Sequence, residues 1–304
     1  MYYPILRGKL HELSAIKELA SLPISARCLP LLEPVNSSLN QIIACIDDLF
    51  GKGITPYVVI NPTLGEYRNQ GTNLYHSLQH NPRSSGKFAP CVKILSSFDT
   101  NSISLLQNTP NSAAYLVSDI SPAAIPILNA ANCTFANPLK VDATILQSVS
   151  RIVLYLDSFA KQRRNADYPP TSFYSNLHFT YTNYPNAIGV GDFTVMGEEY
   201  SEAGGPAYVV AIHMSHVQHQ PSSAIHVRHF CSTSQPTSPS NPGGKFLEAL
   251  NDLIAFDNSN PRYFDRTWGL SELRNYHALQ HFPGLGVVKQ LSVEHHMETI
   301  CNFI

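Results

Sequence analysis

Ile152-Val153-Leu154-Tyr155-Leu156-Asp157 runs from apolar and aromatic residues straight into a carboxylate. A run with no polar alternation suits a strand buried on both faces, as in a parallel sheet. Upstream, the same shape recurs in Tyr3-Pro4-Ile5-Leu6-Arg7, Cys28-Leu29-Pro30-Leu31-Leu32-Glu33 and Tyr57-Val58-Val59-Ile60-Asn61. It returns in Cys91-Val92-Lys93-Ile94-Leu95, in Ala114-Tyr115-Leu116-Val117-Ser118-Asp119 and, more weakly, in Cys133-Thr134-Phe135-Ala136-Asn137. Downstream, Ala187-Ile188-Gly189-Val190-Gly191-Asp192 completes a set of eight.

Amphipathic helical patterns lie between these runs. Leu10 to Leu22 puts Leu13, Ile16, Leu19 and Ala20 on one stripe. Leu39 to Phe50 puts Ile42, Ile43, Ile46, Leu49 and Phe50 on another, with Ser38 placed to cap it and Gly51 or Gly53 to end it. Ser121-Pro122 opens a third. Eight strands at intervals of roughly 20 to 35 residues, mostly with helices between, give the rhythm of a TIM-barrel-like (β/α)8 fold of the α/β class.

After Asp192 the rhythm breaks. Tyr208 to His213 and Ile225 to Phe230 read as a β-hairpin, followed by a Ser/Pro/Thr-rich loop from Ser232 to Gly244 and a helix from about Lys245 to Phe256. Residues 292–304 read as a final barrel helix. The expected organisation is a barrel of residues 1–192 and 286–304, with an insertion of residues 193–285 packed on it.

The 304 residues are 43% hydrophobic and only 14% charged, with a formal net charge of -2. Such a chain buries a full core, and a low charge fraction does not fit a long disordered protein. Without a basic excess, general nucleic-acid binding is not expected. None of the six cysteines lies in a CxxC pair, and most sit in apolar runs, as buried free thiols of a reducing compartment do. No basic leader or bilayer-length apolar stretch is present, so the expectation is a cytoplasmic protein without membrane association.

In a barrel of this kind the C-terminal strand ends open on one face and supply the functional groups. That rule brings together Arg7, Glu33, Asn61, Lys93, Asp119, Asp157 and Asp192. Mixed carboxylates and cations in one mouth shift each other's proton affinities and supply acids, bases or metal ligands. The basic loop Lys161-Gln162-Arg163-Arg164 follows Asp157 and is expected on the mouth, where it can hold a phosphate or simply face solvent.

Histidines cluster at 213, 216, 219, 226 and 229. Residues three apart on a strand face opposite ways, but His213 can meet His229 across a hairpin, which makes that pair the candidate ligands of a divalent metal. His295 and His296 point in divergent directions on a helix and form a poor chelate. Gly189-Val190-Gly191-Asp192 lets backbone approach a ligand closely. Ala203-Gly204-Gly205-Pro206 and Pro242-Gly243-Gly244-Lys245 read as turns, the second leading into a helix whose N-terminus can hold an anion beside Lys245. Walker, GxGxxG, HExxH and GxSxG motifs are missing from the chain.

Several of these segments carry a family likeness. Tyr3-Pro4-Ile5-Leu6-Arg7-Gly8-Lys9 with Glu12 and Leu13, Leu31-Leu32-Glu33-Pro34-Val35, and Gly191-Asp192-Phe193-Thr194 are three. Gly197 to Glu202, Ala207-Tyr208, Ala211-Ile212-His213, Arg228-His229-Phe230, Pro242 to Phe246 and His281 to Gly286 are the others. Together they resemble the phage-named "beta protein" family of largely uncharacterised bacterial proteins, found near mobile elements and anti-phage genes. The resemblance spans nearly the whole chain. It implies a defence setting and a protein partner encoded nearby, but carries no catalytic list. It raises Arg7, Glu33 and Asp192, which the fingerprint shares at strand ends.

The resulting expectation is a hydrolase- or lyase-like barrel acting on a small phosphorylated or nucleotide-like ligand. Glu33, Asp157, Asp192 and Lys93 form its catalytic set. Arg7, Lys9, Asn61, Asp119, Arg163 and Arg164 form its binding set. The competing expectation is a binding or sensor module, in which the hairpin and the Ser/Pro-rich loop recognise a partner protein or phage component.

Overall fold

Eight parallel strands close on themselves in the first of two compact units, Met1–Asp157 with Leu177–Phe193 and Ile304. The computed structural model describes residues 1–36, 38–201, 205, 207–218 and 223–304. In chain order the strands are β1 (Tyr2–Leu6), β2 (Leu31–Leu32), β3 (Tyr57–Val59), β4 (Ala89–Ile94), β5 (Ala113–Leu116), β6 (Thr134–Ala136) and β7 (Ile152–Leu156). β8 (Thr171–Ser175) belongs to the other unit, and β9 (Ala187–Asp192) closes the barrel between β7 and β1. Each of the eight apolar runs contributes one barrel strand. β2 is the shortest, because Pro30 removes a ladder donor within the expected run.

Closure depends on glycine. Tyr3 pairs with Gly191, and a Cβ at Gly189 would lie 2.3 Å from the Met1 carbonyl and 2.6 Å from the Tyr3 ring. These glycines admit β1 and the Tyr3 side chain rather than a ligand, which corrects their expected role.

Helices α1 (Leu10–Leu19), α2 (Asn40–Gly51), α3 (Gly71–His80), α4 (Thr100–Asn108), α5 (Ile125–Ala130) and α6 (Ala143–Ser148) connect the strands, and α7 (Leu177–Thr180) precedes β9. α1 buries Leu13, Ile16 and Leu19 as its stripe requires. α2 buries Ile42, Ile43, Ile46 and Leu49, while Phe50 stays exposed. Ser38 does not cap α2, which begins after Leu39 without a side-chain cap. Asp99 and Asp142 do cap α4 and α6.

Alternation along the strands fills the barrel. Tyr3, Ile5, Leu31, Val59, Cys91, Tyr115, Phe135, Val153, Tyr155 and Phe193 form one interior cluster. Phe135 stands at its centre, with ring edges meeting Tyr3 at 5.5 Å, Tyr57 at 5.7 Å and Tyr115 at 6.3 Å. The interior is therefore a packed core rather than a pore.

The second unit comprises Ser158–Asn176 and Thr194–Phe303. Its antiparallel sheet has the order β10 (Ala211–Gln218), β11 (Ala224–Cys231), β8. The expected hairpin is present as β10 and β11, but its first strand is shifted: Tyr208 to Val210 precede it and Met214 to Gln218 extend it. β8 was not expected, because its five residues sit in what reads as a loop. Helices α8 (Pro242–Ser259), α9 (Trp268–Leu279) and α10 (Leu285–Phe303) supply Phe246, Leu250, Leu253, Leu270, Leu273 and Leu291 to a core with Ile212, Met214 and Phe230. The expected boundary is thus moved in two places. Ser158–Asn176 joins this unit, and the closing helix belongs here rather than to the barrel.

No disulfide joins any of the six cysteines, and all but the half-buried Cys231 are buried. Among the described residues, no helix is long and apolar enough to cross a membrane.

Candidate functional site at the barrel mouth

Ile5, Leu31, Val59 and Cys91 point into the barrel, and successive strand residues alternate faces. Arg7, Glu33, Asn61 and Lys93 each lie two residues further on and so face the same interior, just above the aromatic core. The contacts agree. Arg7 Nη1 donates to Glu33 Oε2, and Lys93 Nζ donates to Glu33 Oε1 at 2.8 Å. Glu33 is fully buried, and the side chains of Arg7 and Lys93 are each only 7% exposed. The guanidinium carbon of Arg7 lies 4.9 Å from the Phe193 ring centre, and Lys93 Nζ lies 5.5 Å from that of Tyr115. The two cations therefore stand on the aromatic core and grip one carboxylate from opposite sides.

Asn61 acts on the backbone. β3 ends at Val59, and the Asn61 side chain continues its ladder: Nδ2 donates to the Lys93 carbonyl and Oδ1 accepts from the Lys93 amide, both at 2.8 Å. Nδ2 also reaches Ser102 Oγ at 3.1 Å. Asn61 fixes the end of β4, and through it the position of the Lys93 side chain.

Glu12 was missed as a site residue. It is buried at the start of α1 and accepts from the amides of Arg7 and Lys9 at 3.3 and 3.4 Å. Burial raises its proton affinity against those two amides and the nearby positive charges of Arg7 and Lys9. A carboxylate three residues into a helix that follows a Gly turn is the available sequence signal. Lys9 itself is half-buried beside that turn.

Other expected members lie elsewhere. Asp192 pairs in register with Pro4, and Gly191 faces inward, so Asp192 points out of the barrel wall. There it accepts a hydrogen bond from Tyr2 at 2.7 Å. Asp157 follows the inward Tyr155 but is exposed. Asp119 is not buried, and its Oδ1 accepts from the Asp142 amide at 2.8 Å, joining two loops. Arg163 and Arg164 belong to the second unit. Arg164 is paired bidentately with Asp167, at 2.9 and 2.6 Å, and Lys161 meets Glu199 at 3.0 Å, while Arg163 is exposed.

The histidine pair meets as expected, but as a hydrogen bond. His213 Nδ1 and His229 Nδ1 are 2.8 Å apart, and His229 Nε2 is 2.9 Å from Ser172 Oγ. Burial, with the neighbouring His229 and Lys289, pushes His213 down to about 3. Burial alone pushes His229 down to about 4. Among the described residues, no group of three or more His, Cys, Asp or Glu side chains is arranged to hold a metal ion. His219 and most of the Ala203–Pro206 turn lie outside the described residues.

Lys245 does not serve an anion. Its ammonium donates to the carbonyls of Tyr208 at 2.6 Å, Gln235 at 3.0 Å and Ser238. Those contacts use its three donors. The adjoining helix start is capped by Asn241, which accepts from the Gly244 amide at 3.0 Å.

No protein-family model matches the chain, and no curated protein matches it by sequence.

Proposed function

We propose that the barrel mouth receives a small phosphorylated or nucleotide-like ligand. In this reading Arg7 and Lys93 hold its anionic group, Glu33 accepts or returns a proton, and the protein serves in bacterial anti-phage defence beside a partner encoded nearby. One observation carries the ligand reading. The Lys93 ammonium is buried, yet among the described residues it makes a single hydrogen bond, to Glu33. Burying a cation with donors to spare is costly, and an anion at that point uses them. Arg7, Lys93 and Glu33 together carry one net positive charge, the sign an anion requires. The defence setting rests on the family resemblance alone.

Glu33 now stands without the second inward, buried carboxylate that the expected set supplied, so a two-carboxylate mechanism loses support. Proton transfer by a single carboxylate, assisted by the adjacent ammonium, fits the geometry better. The test pairs phage-challenge survival with folding. Glu33→Gln and Lys93→Met should each abolish protection while the protein remains folded by circular dichroism. Full protection by both folded variants would end this reading.

The sensor alternative has an observation of its own. The exposed loop Thr233 to Thr237 is held in shape, because Glu248 accepts from the amides and hydroxyls of Thr233 and Ser234. A preshaped exposed loop suits partner recognition. Substituting the exposed Thr237 and Pro239 should then abolish protection, while the mouth variants stay active.

A further inference from the structure

A second candidate site lies within the second unit, on the face of the sheet opposite the His213–His229 pair. His216 and His226 are partners in register, with rings stacked 5.7 Å apart, and Tyr263 lies 4.1 Å from the His216 ring. Together with Thr171, Gln218 and Arg262 they line a cleft of about 360 Å³. No carboxylate is among the described residues lining it.

Several polar atoms here have no partner among the described residues. His216 is 7% exposed, yet neither its ring nor that of His226 makes a hydrogen bond with the described residues, and the Nδ1 atoms of both are buried. Arg228, on the same face as His226, lies flat on Phe256 at 3.8 Å. Its one hydrogen bond is a long one of 3.5 Å, from Nη1 to Thr171 Oγ1, and no carboxylate pairs with it among the described residues. Arg262 is exposed and makes no ion pair there either. Buried polar groups are almost always satisfied, so several unsatisfied donors around one cleft point to a missing acceptor.

We propose that this cleft binds the phosphate group of a small phosphomonoester. The Arg262 guanidinium, two imidazoles and the Thr171 hydroxyl line the cleft, and the Arg228 guanidinium borders it beside Thr171; together they offer more donors than a carboxylate's two oxygens accept. The terminal oxygens and higher charge of a phosphate match them. The volume suits a ligand of mononucleotide size. All of these residues belong to the second unit, and the test does not depend on the reading of the barrel mouth.

The experiment follows the imidazole ring signals of the full chain by NMR during titration with inorganic phosphate, adenosine monophosphate and acetate. The signals of His216 and His226, assigned by their loss in His216→Phe and His226→Phe, should move with both phosphates and not with acetate. Arg262→Ala changes an exposed side chain and spares the fold. It should weaken phosphate binding about tenfold, the scale of one charge-assisted hydrogen bond. Static ring signals with both phosphates, equal movement with acetate, or an unchanged affinity in Arg262→Ala would each overturn the proposal.

Discussion

Lys93 Nζ meets Glu33 Oε1 at 2.8 Å although 60 positions separate them in the chain. β3 lies between their strands, so the contact reaches over one strand end. It exists because both side chains share the inward face and Arg7 completes the group from β1. Removing Glu33 as Glu33→Ala strands two buried cations and should cost about 3–5 kcal/mol. Glu33→Leu combined with Lys93→Met should recover part of that loss. Urea unfolding of the single and double variants measures the coupling, and strict additivity would mean the pair contributes nothing.

The outward direction of Asp192 yields a sharper discrimination. Asp192→Asn retains an acceptor for Tyr2 and should lower stability by no more than about 1.5 kcal/mol. On the proposed function, protection against phage should survive it, whereas Glu33→Gln should remove protection. Loss of protection in a fully folded Asp192→Asn protein would show that the outer wall, not the mouth, holds the chemistry.

The barrel was legible because a parallel strand buried on both faces is mostly apolar, and seven runs stood out as such, while Cys133 to Asn137, with Thr134 inside it, was the weak one. Strand ends were legible too, but direction was not. Asp192 and Glu33 read alike as carboxylates closing an apolar run. They differ only in parity against the inward set, which needs the register of β9 on β1. Glu12 was hidden because its partners are backbone amides, which carry no residue signature. Thr171 to Ser175 was hidden for another reason. An edge strand of five residues pairs with a hairpin strand some fifty positions downstream, and nothing local marks it except its Thr, Phe and Tyr content.

His295 should make the second unit sensitive to mild acid. It is fully buried, Nε2 donates to the Ser215 carbonyl at 2.7 Å, and Nδ1 faces Thr267 Oγ1 at 2.6 Å. Only a neutral ring both donates and accepts in this way. Burial lowers its pKa to about 4 against the opposing hydrogen bond to Ser215. The unfolded ring takes a proton near pH 6.5, so the contribution is complete above that value and is lost as pH falls toward 4. At pH 5 this residue alone should cost about 2 kcal/mol. His213 and His216, both lowered to about 3 with burial the leading cause, act in the same direction. Calorimetry from about pH 7.5 to about pH 5 should show a falling unfolding temperature with proton uptake. A flat profile would reject the neutral tautomers.

The loop from Ser232 to Asn241 should depend on its two anchors in different ways. Lys245 is 1% exposed, and replacing it by methionine leaves three carbonyls without their donor. The cost should be on the order of 3 kcal/mol, moderated where loop carbonyls find water. Glu248 acts through pH instead. Burial raises its proton affinity, but the hydroxyls and amides of Ser234 and Thr233 outweigh that and bring its pKa down to about 2. Its anchoring is therefore intact above the unfolded carboxylate range near about pH 4.3 and is lost as pH falls toward 2. Hydrogen exchange separates the two anchors. Lys245→Met should expose the loop amides at neutral pH, whereas Glu248→Gln should release Thr233 and Ser234 while leaving the Lys245 contacts in place. Equal protection of the loop in both variants and in the parent would mean that neither anchor sets its shape, and the preshaped recognition surface would lose its basis.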